Sequence, residues 1–259
     1  MQKSLKIALV TILSFGIYYL IDEVYFRSLR KSLFELIGHV GISHIISYTI
    51  VGIPIFSGIL IMHKKATFFN NLGLDKSLLK AFLFAFICVL PMLIGFSFVF
   101  DFTPDLSVNR ILIAIIAAGF FEELYFRGFL FGQLFRHTKI GFILSILIGA
   151  VIFALGHLYQ SNDTQELIGI FSITLLGSVL FGWLYAEHSY NIWVPVFLHM
   201  LMNLSWELFS VNDTALGGAY ANIFRTTTVI LAIVLTVMHK KRKKIKLEVN
   251  KKTIWKKSS

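Results

Sequence analysis

Three clusters of polar residues interrupt otherwise apolar stretches of this sequence. The first is Phe120-Phe121-Glu122-Glu123-Leu124-Tyr125-Phe126-Arg127-Gly128. Adjacent residues on a helix point about 100° apart, so the two carboxylates cannot share one role. Glu123 and Arg127 form an i, i+4 pair with the acid N-terminal, the favourable order for an ion pair. Glu122 is then free to face a polar cavity, where a carboxylate can serve as a general base. An ion pair that merely orders a helix would account for one Glu and not for two. The second cluster, Phe153-Ala154-Leu155-Gly156-His157, ends in a lone imidazole that is by itself as readily structural or interfacial as functional. The third, His199-Met200-Leu201-Met202-Asn203, places an imidazole and an amide on one helix face, one turn after Pro195. Polar glue between helices uses such pairs too. Together, a carboxylate, two imidazoles and an amide make a hydrolase constellation. Glu122 would activate a water, His157 would hold that water or share its proton, and His199 and Asn203 would donate to the oxyanion of a tetrahedral intermediate.

The elements that must position these groups are membrane spans. The chain has 259 residues, 56% hydrophobic and only 15% charged, with a mean hydropathy of +0.76 and 26 Phe. A soluble chain is about 25% charged. Long uncharged runs exclude a soluble enzyme, a nucleic-acid-binding domain and a disordered chain, and predict an all-α, polytopic transmembrane bundle. A span needs about 20 mostly apolar residues, and about eight candidates are present: Leu5–Ile21, Ile42–Met62, Leu78–Phe100, Val108–Phe135, Ile140–Leu158, Glu166–Ala186, Asn191–Leu208 and Asn222–Met238. The fourth is too long for a simple span and carries three charges. The 22–41 connection, with Arg27, Arg30 and Lys31 beside Asp22, Glu23 and Glu35, reads as an interfacial helix. Lys3 and Lys6 before Ile7–Ile21 resemble the start of a signal peptide, but no small-x-small site follows, so a retained helix is expected. The chain divides into N-terminal helices (1–107), a catalytic helical core (108–208), a last span (209–238) and a basic tail (239–259).

Charge sets the orientation. The tail from His239 carries a net +9 and the rest of the chain only +1, so the pI of 9.7 belongs to the tail and not to a nucleic-acid-binding face. Basic flanks stay cytoplasmic, and a basic tail lies against anionic lipid. The 63–77 and 136–139 connections, with Lys64, Lys65, Lys76, Arg136 and Lys139, fall on the same inner side. At 1.5 Å per residue, Glu122 lies roughly 21 Å, His157 roughly 27 Å, and His199 and Asn203 roughly 14–20 Å from the inner connections. One cavity can hold all four if helices tilt or break. The single cysteine, Cys88, excludes an intramolecular disulfide and Cys-rich metal sites.

Glu122-Glu123-x-x-x-Arg127, Phe153-x-x-x-His157 and His199-x-x-x-Asn203, in that order on successive helices, resemble the three motifs of the CPBP family, also called Abi or type II CAAX prenyl endopeptidases. Gly182-Trp183-Leu184-Tyr185 and Asn191-Ile192-Trp193-Val194-Pro195 are similar too. The resemblance covers roughly residues 108–208. It implies a multi-pass intramembrane endopeptidase with an eight-helix core, a catalytic Glu122, and His157, His199 and Asn203 as its partners, acting on a peptide or membrane-protein substrate. Bacterial members are linked with bacteriocin maturation, self-immunity or peptide signalling. Lys outnumbers Arg 17 to 7, a bias that suggests a bacterial cell membrane. If zinc is used, Glu122, His157 and His199 are its ligands. A metal-free mechanism uses all four polar residues and explains Asn203, a poor zinc ligand, so no cofactor is expected. His-Glu-x-x-His, Gly-x-Gly-Asp and Gly-x-Ser-Gly are absent from the sequence, which argues against the zinc, aspartyl and rhomboid classes of intramembrane protease. The alternatives are a non-catalytic immunity or scaffold membrane protein, which would not need Glu122, and a transporter using the polar residues as an ion relay. No paired Gly/Pro-broken half-helices support the transporter.

Overall fold

Apolar runs of this length leave the backbone only one way to satisfy its N–H and C=O groups inside a bilayer, and the chain takes it: helices throughout. The computed structural model describes residues 2–256. α1 (Gln2–Ile37) leads to α2 (Val40–Val51), α3 (Ile53–Met62), the short α4 (Phe68–Leu72) and α5 (Leu78–Val99). A central rod follows, in which α6 (Val108–Arg110) continues into a π-helical stretch, Ile111–Phe131, and then α7 (Gly132–His137). α8 (Phe142–Leu155), α9 (Thr164–Glu187), α10 (Trp193–Leu208) and α11 (Ala219–Arg242) complete the bundle. Among the described residues the one β-type pairing is an isolated bridge between Ile140 and Lys256. The all-α, multi-pass reading is therefore correct.

Among the described residues, six helical segments, with α2 and α3 taken as one, are long and apolar enough to cross a membrane. The fourth and seventh expected spans are helical but fall outside that set. The central rod carries Glu122, Glu123 and Arg127 within its apolar length, and α10 has only 16 residues. Most of the 22–41 stretch is helical as expected, but it is continuous with the first span: α1 runs unbroken for 36 residues past Asp22 and Arg30. The expected second span is broken into α2 and α3 at Gly52, with Pro54 in the first turn of α3. Proline has no N–H to return to the preceding turn, so the ladder opens. The Tyr125 hydroxyl donates to the Tyr48 carbonyl there at 2.7 Å, tying the kink to the central rod.

Helix starts follow local capping chemistry. Ser77 accepts from the Lys80 N–H at the head of α5, and Ser107 accepts from Arg110 at the head of the central rod. Asp163 accepts from Gln165 and Glu166 at the head of α9. Such caps contribute about 1 kcal/mol each.

The tail does not trail away from the bundle. His239–Arg242 form the last turn of α11, and the chain then folds back. Phe142 and Ile143, the first N–H groups of α8, donate to the Thr253 and Ile254 carbonyls at 2.9 and 3.0 Å. Gly141 makes this contact possible, because a Cβ there would lie 2.2 Å from the Trp255 carbonyl carbon. Glu187, fully buried at the end of α9, accepts from Lys240 Nζ at 2.5 Å and from the Glu248 and Val249 backbone N–H groups. The 63–77, 136–141 and 187–191 connections lie at this same end, joined by contacts such as His63 Nε2–H to Gln133 Oε1 and Asn191 Nδ2–H to the Ser77 carbonyl. Burial and the Lys3 and Arg136 charges lower the His63 pKa, against a rise from its bond to Gln133. The opposite end is closed by Gly41 N–H to Asn109 Oδ1, Thr103 N–H to the Leu208 carbonyl and Ala215 N–H to Gln160 Oε1.

Breaking a buried ion pair by removing one partner destabilises by about 3–5 kcal/mol. Glu187→Gln should therefore lower the thermal midpoint in detergent and speed tryptic clipping at Lys251 and Lys252. The double change Glu187→Gln with Lys240→Met should recover part of the midpoint. Clipping at the wild-type rate in the single variant would show that the tail is held by something else.

Candidate active site

The central rod runs through the middle of the bundle, and its backbone comes unusually close to α10 at Gly119. A Cβ there would lie 2.5 Å from the Met200 side chain and 3.1 Å from the Met200 backbone nitrogen. Only a residue without a side chain permits this approach, one turn before the paired glutamates. It brings His199 over the rod, where its Nδ1–H donates to Glu123 Oε1 at 2.8 Å. Arg127 Nη1 lies 3.2 Å from the same oxygen. Glu123 and Arg127 are 0% and 1% exposed. The guanidinium lies over the Phe153 ring at 4.5 Å and near Phe181 at 5.7 Å, and makes no hydrogen bond among the described residues. In a desolvated setting such a cation–ring contact contributes about 2 kcal/mol. The expected Glu123–Arg127 pair is thus present, and it also orients an imidazole 76 positions away.

His157 stands just past the end of α8, after Gly156, which accounts for its greater depth. Its Nδ1–H donates to the Phe153 carbonyl at 2.8 Å, the last full turn of the helix holding the ring. Asn203 Nδ2 donates to the Ala114 carbonyl at 2.8 Å, which fixes the amide's orientation and leaves its second N–H unused. Both imidazoles are tied down through Nδ1, so each has Nε2 left for another partner.

Glu122, half-buried, shares one cavity of about 420 Å³ with His157, His199 and Asn203. The structure therefore brings together the four residues named as candidates from the sequence. Tyr159, Gln160 and residues 212–215 also line it, so it opens at the end of the bundle away from the tail. A second chamber of about 350 Å³ shares His157, His199 and Asn203 with the first. Its other walls, including Phe153, Ile173, Leu176, Leu180, Phe181 and Val229, are mainly apolar and lie between α9 and α11. A wet chamber and a greasy one thus meet at the two imidazoles and the amide.

Arg225 is the notable residue missed in the sequence. It borders both chambers, donates to the Ala215 and Leu216 carbonyls at 2.6 and 2.7 Å, and lies 5.1 Å from the Trp206 ring. It holds the 209–218 connection over the cavity. A lone Arg inside an apolar run was the available signal. Arg110 and Glu207 pair at the mouth.

A zinc site from Glu122, His157 and His199 would need three donors converging on one point. Among the described residues no three His, Cys, Asp or Glu side chains are grouped closely enough to ligate one metal ion. As they stand, Glu122, His157 and His199 do not supply the three convergent donors of a zinc centre.

Arg127→Ala should lower the yield of folded protein, since Glu123 is left buried with His199 alone. Glu123→Gln with Arg127→Met should recover folding, measured as monodisperse protein in detergent, but not full activity, because the charge behind His199 is gone. An Arg127→Ala variant that accumulates normally would mean that the guanidinium serves substrate and not stability.

The sequence profile of the family described as "Type II CAAX prenyl endopeptidase Rce1-like" matches residues 104–205, a stretch that contains all seven residues named in the three motifs. Among curated proteins, the chain is 36% identical over 93 residues to YdiL of Bacillus subtilis, named as a candidate membrane peptidase, covering 36% of this chain and 34% of that one. It is 31% identical over 103 residues to the membrane-embedded CAAX protease MroQ of Staphylococcus aureus, covering 38% of each. It is 28% identical over 131 residues to CAAX prenyl protease 2 of Methanococcus maripaludis, covering 46% of this chain and 45% of that one. The chain spans between about a third and a half of the length of these relatives. Residues 104–205, which supply much of the lining of both chambers, are thus similar in sequence to the Rce1-like CAAX prenyl endopeptidase family.

Proposed function

We propose that this protein is an intramembrane endopeptidase that hydrolyses a peptide bond with water activated by Glu122. The observation that supports this reading best is the meeting of Glu122, His157, His199 and Asn203 on one open cavity inside a bundle of apolar helices. Glu122 takes a proton from a water held by His157 Nε2, and the hydroxide adds to the scissile carbonyl carbon. The oxyanion accepts from His199 Nε2–H and from the second N–H of Asn203. A ring that donates from both nitrogens is an imidazolium, and Glu123 is its counter-charge. When the intermediate collapses, the C–N bond breaks and Glu122 returns its proton to the leaving nitrogen. The products are a carboxylic acid and an amine, and the acid's proton passes to the amine or to water.

The apolar chamber beside the reacting groups suits the hydrophobic flank of a peptide or membrane-protein substrate that enters between α9 and α11. The tail-bearing end is the cytoplasmic one by its Lys and Arg excess, so the wet chamber opens on the opposite, outer face. The names of MroQ and CAAX prenyl protease 2 supply the class of reaction, cleavage of a peptide chain at a membrane.

Glu122→Gln keeps shape and removes the base. Cleavage of a substrate identified by comparing peptidomes of cells with and without the gene should fall at least about 10²-fold, with unchanged folded protein in the membrane. Near-normal cleavage by that variant would sink the mechanism. Activity of purified protein should survive strong chelation; loss on chelation with recovery on adding Zn²⁺ would mean that a metal is required. For orientation, cysteines at Asp213 and Lys251 in a Cys88→Ala background should behave oppositely. The Asp213→Cys protein should react with an impermeant thiol reagent in intact cells, and the Lys251→Cys protein only after permeabilisation. The reverse pattern would invert the face from which water and substrate arrive.

A further inference from the structure

A cavity of about 620 Å³ lies at the tail-bearing end, far from the reacting groups, between the first turns of α5, the last turns of α11 and the connection after α9. Its walls are apolar: Ala81, Leu83, Phe84, Val194, Leu235 and Met238. Leu83 and Met238 remain 50% and 41% exposed, so the cavity mouth meets the lipid-facing surface of the bundle. Its rim is cationic, with Lys80, His239 and Arg242.

Most polar groups in it are already engaged. Glu187, the one carboxylate in the lining, is neutralised by Lys240 at 2.5 Å and accepts two tail N–H groups. His188 donates from Nε2 to the Thr236 hydroxyl at 3.0 Å and packs on the Phe84 ring at 4.5 Å. Burial and the His239 and Lys240 charges push its pKa down to about 4, so this ring adds no charge. Asn191 donates to the Ser77 carbonyl. Lys80, His239 and Arg242 make no side-chain hydrogen bond or ion pair among the described residues. The lining therefore presents two fixed positive charges without a free carboxylate, above greasy walls. The N-terminus of the 22-residue α5 adds its positive dipole end to the same rim.

We propose that this cavity is a binding site for one anionic phospholipid, its phosphodiester held by Lys80, His239 and Arg242 and its upper acyl segments lying along Leu83, Leu235 and Met238. Basic pockets between spans at the cytoplasmic membrane surface take lipid headgroups by the same balance of charge and apolar wall. The site is separate from both chambers of the proposed active centre. It requires no catalytic residue and stands whether or not Glu122 is a base.

The test is native mass spectrometry of protein released from nanodiscs made with equal dioleoyl phosphatidylglycerol and dioleoyl phosphatidylcholine. Wild type should retain one phosphatidylglycerol in preference to phosphatidylcholine by on the order of tenfold, the effect of two cations at a membrane surface. Lys80→Gln with Arg242→Gln should abolish the preference, and Met238→Trp should lower retention by filling the wall without changing charge. Lys251→Gln with Lys252→Gln, which removes an equal charge from the tail, should leave it intact. Equal retention of the two lipids by wild type, or loss of preference in the tail variant, would overturn the site in favour of diffuse attraction. Displacement of the lipid by millimolar inorganic phosphate would also overturn it, as the mark of a soluble-anion pocket.

Discussion

One carboxylate oxygen organises the half of this protein that holds the candidate site. Glu123 Oε1 accepts the His199 Nδ1–H at 2.8 Å and faces Arg127 at 3.2 Å, in a place where water is excluded from both acid and guanidinium. An isolated buried ion carries a penalty of several kcal/mol even after the protein relaxes. The acid is therefore tolerable only while the Arg127 guanidinium and the His199 N–H stay in place, and that requirement fixes the geometry of the elements that carry them. Arg127 stays because Phe153 of α8 and Phe181 of α9 cover its faces. His199 stays because Gly119 lets α10 lie against the rod. Four helices are thereby locked around one charge, and the candidate site residues take their places from that lock. His157 lies one turn beyond Phe153, Asn203 one turn beyond His199, and Glu122 one residue before Glu123.

The same arrangement explains why neighbouring glutamates have different surroundings. Glu123 points into the packed interior and is inaccessible. Glu122, one position earlier on the same helix, reaches a cavity wall that includes Tyr159 and Gln160. The wet chamber admits water from one end of the bundle, and the apolar chamber lies toward lipid between α9 and α11. A hydrolase that works within a membrane needs both, since one reactant is water and the other is greasy.

Much of this was legible in the sequence because charge in an apolar run is conspicuous. The i, i+4 spacing of Glu123 and Arg127 announced their pairing, and the polar interruptions at Glu122, His157, His199 and Asn203 announced residues that the structure places on one cavity. What could not be read was any contact made between distant segments. Glu123 and His199 are 76 positions apart, and nothing local in either helix specifies their hydrogen bond. Arg225 lay in a run dominated by apolar residues and passed as part of a span. The 22–41 stretch stood apart because acids and bases are mixed in it, and its continuity with the first span was not legible, since helical hydrogen bonding does not depend on what the outward side chains carry. The tail read as a basic anchor beside anionic lipid, whereas its docking rests on backbone pairs at the head of α8 and on the buried Glu187 carboxylate, contacts between segments that no local pattern announces.

That docking has a consequence for synthesis. The first N–H groups of α8, at Phe142 and Ile143, find their acceptors at Thr253 and Ile254, roughly 110 positions later in the chain. At about 5–20 residues per second, the ribosome delivers those carbonyls on the order of 5–20 s after α8 has been made. Through that interval water must serve the exposed amides, so the tail-side end of α8 stays hydrated while α9, α10 and α11 are inserted. The helix that carries His157 is completed only when the last segment of the chain comes to rest on it.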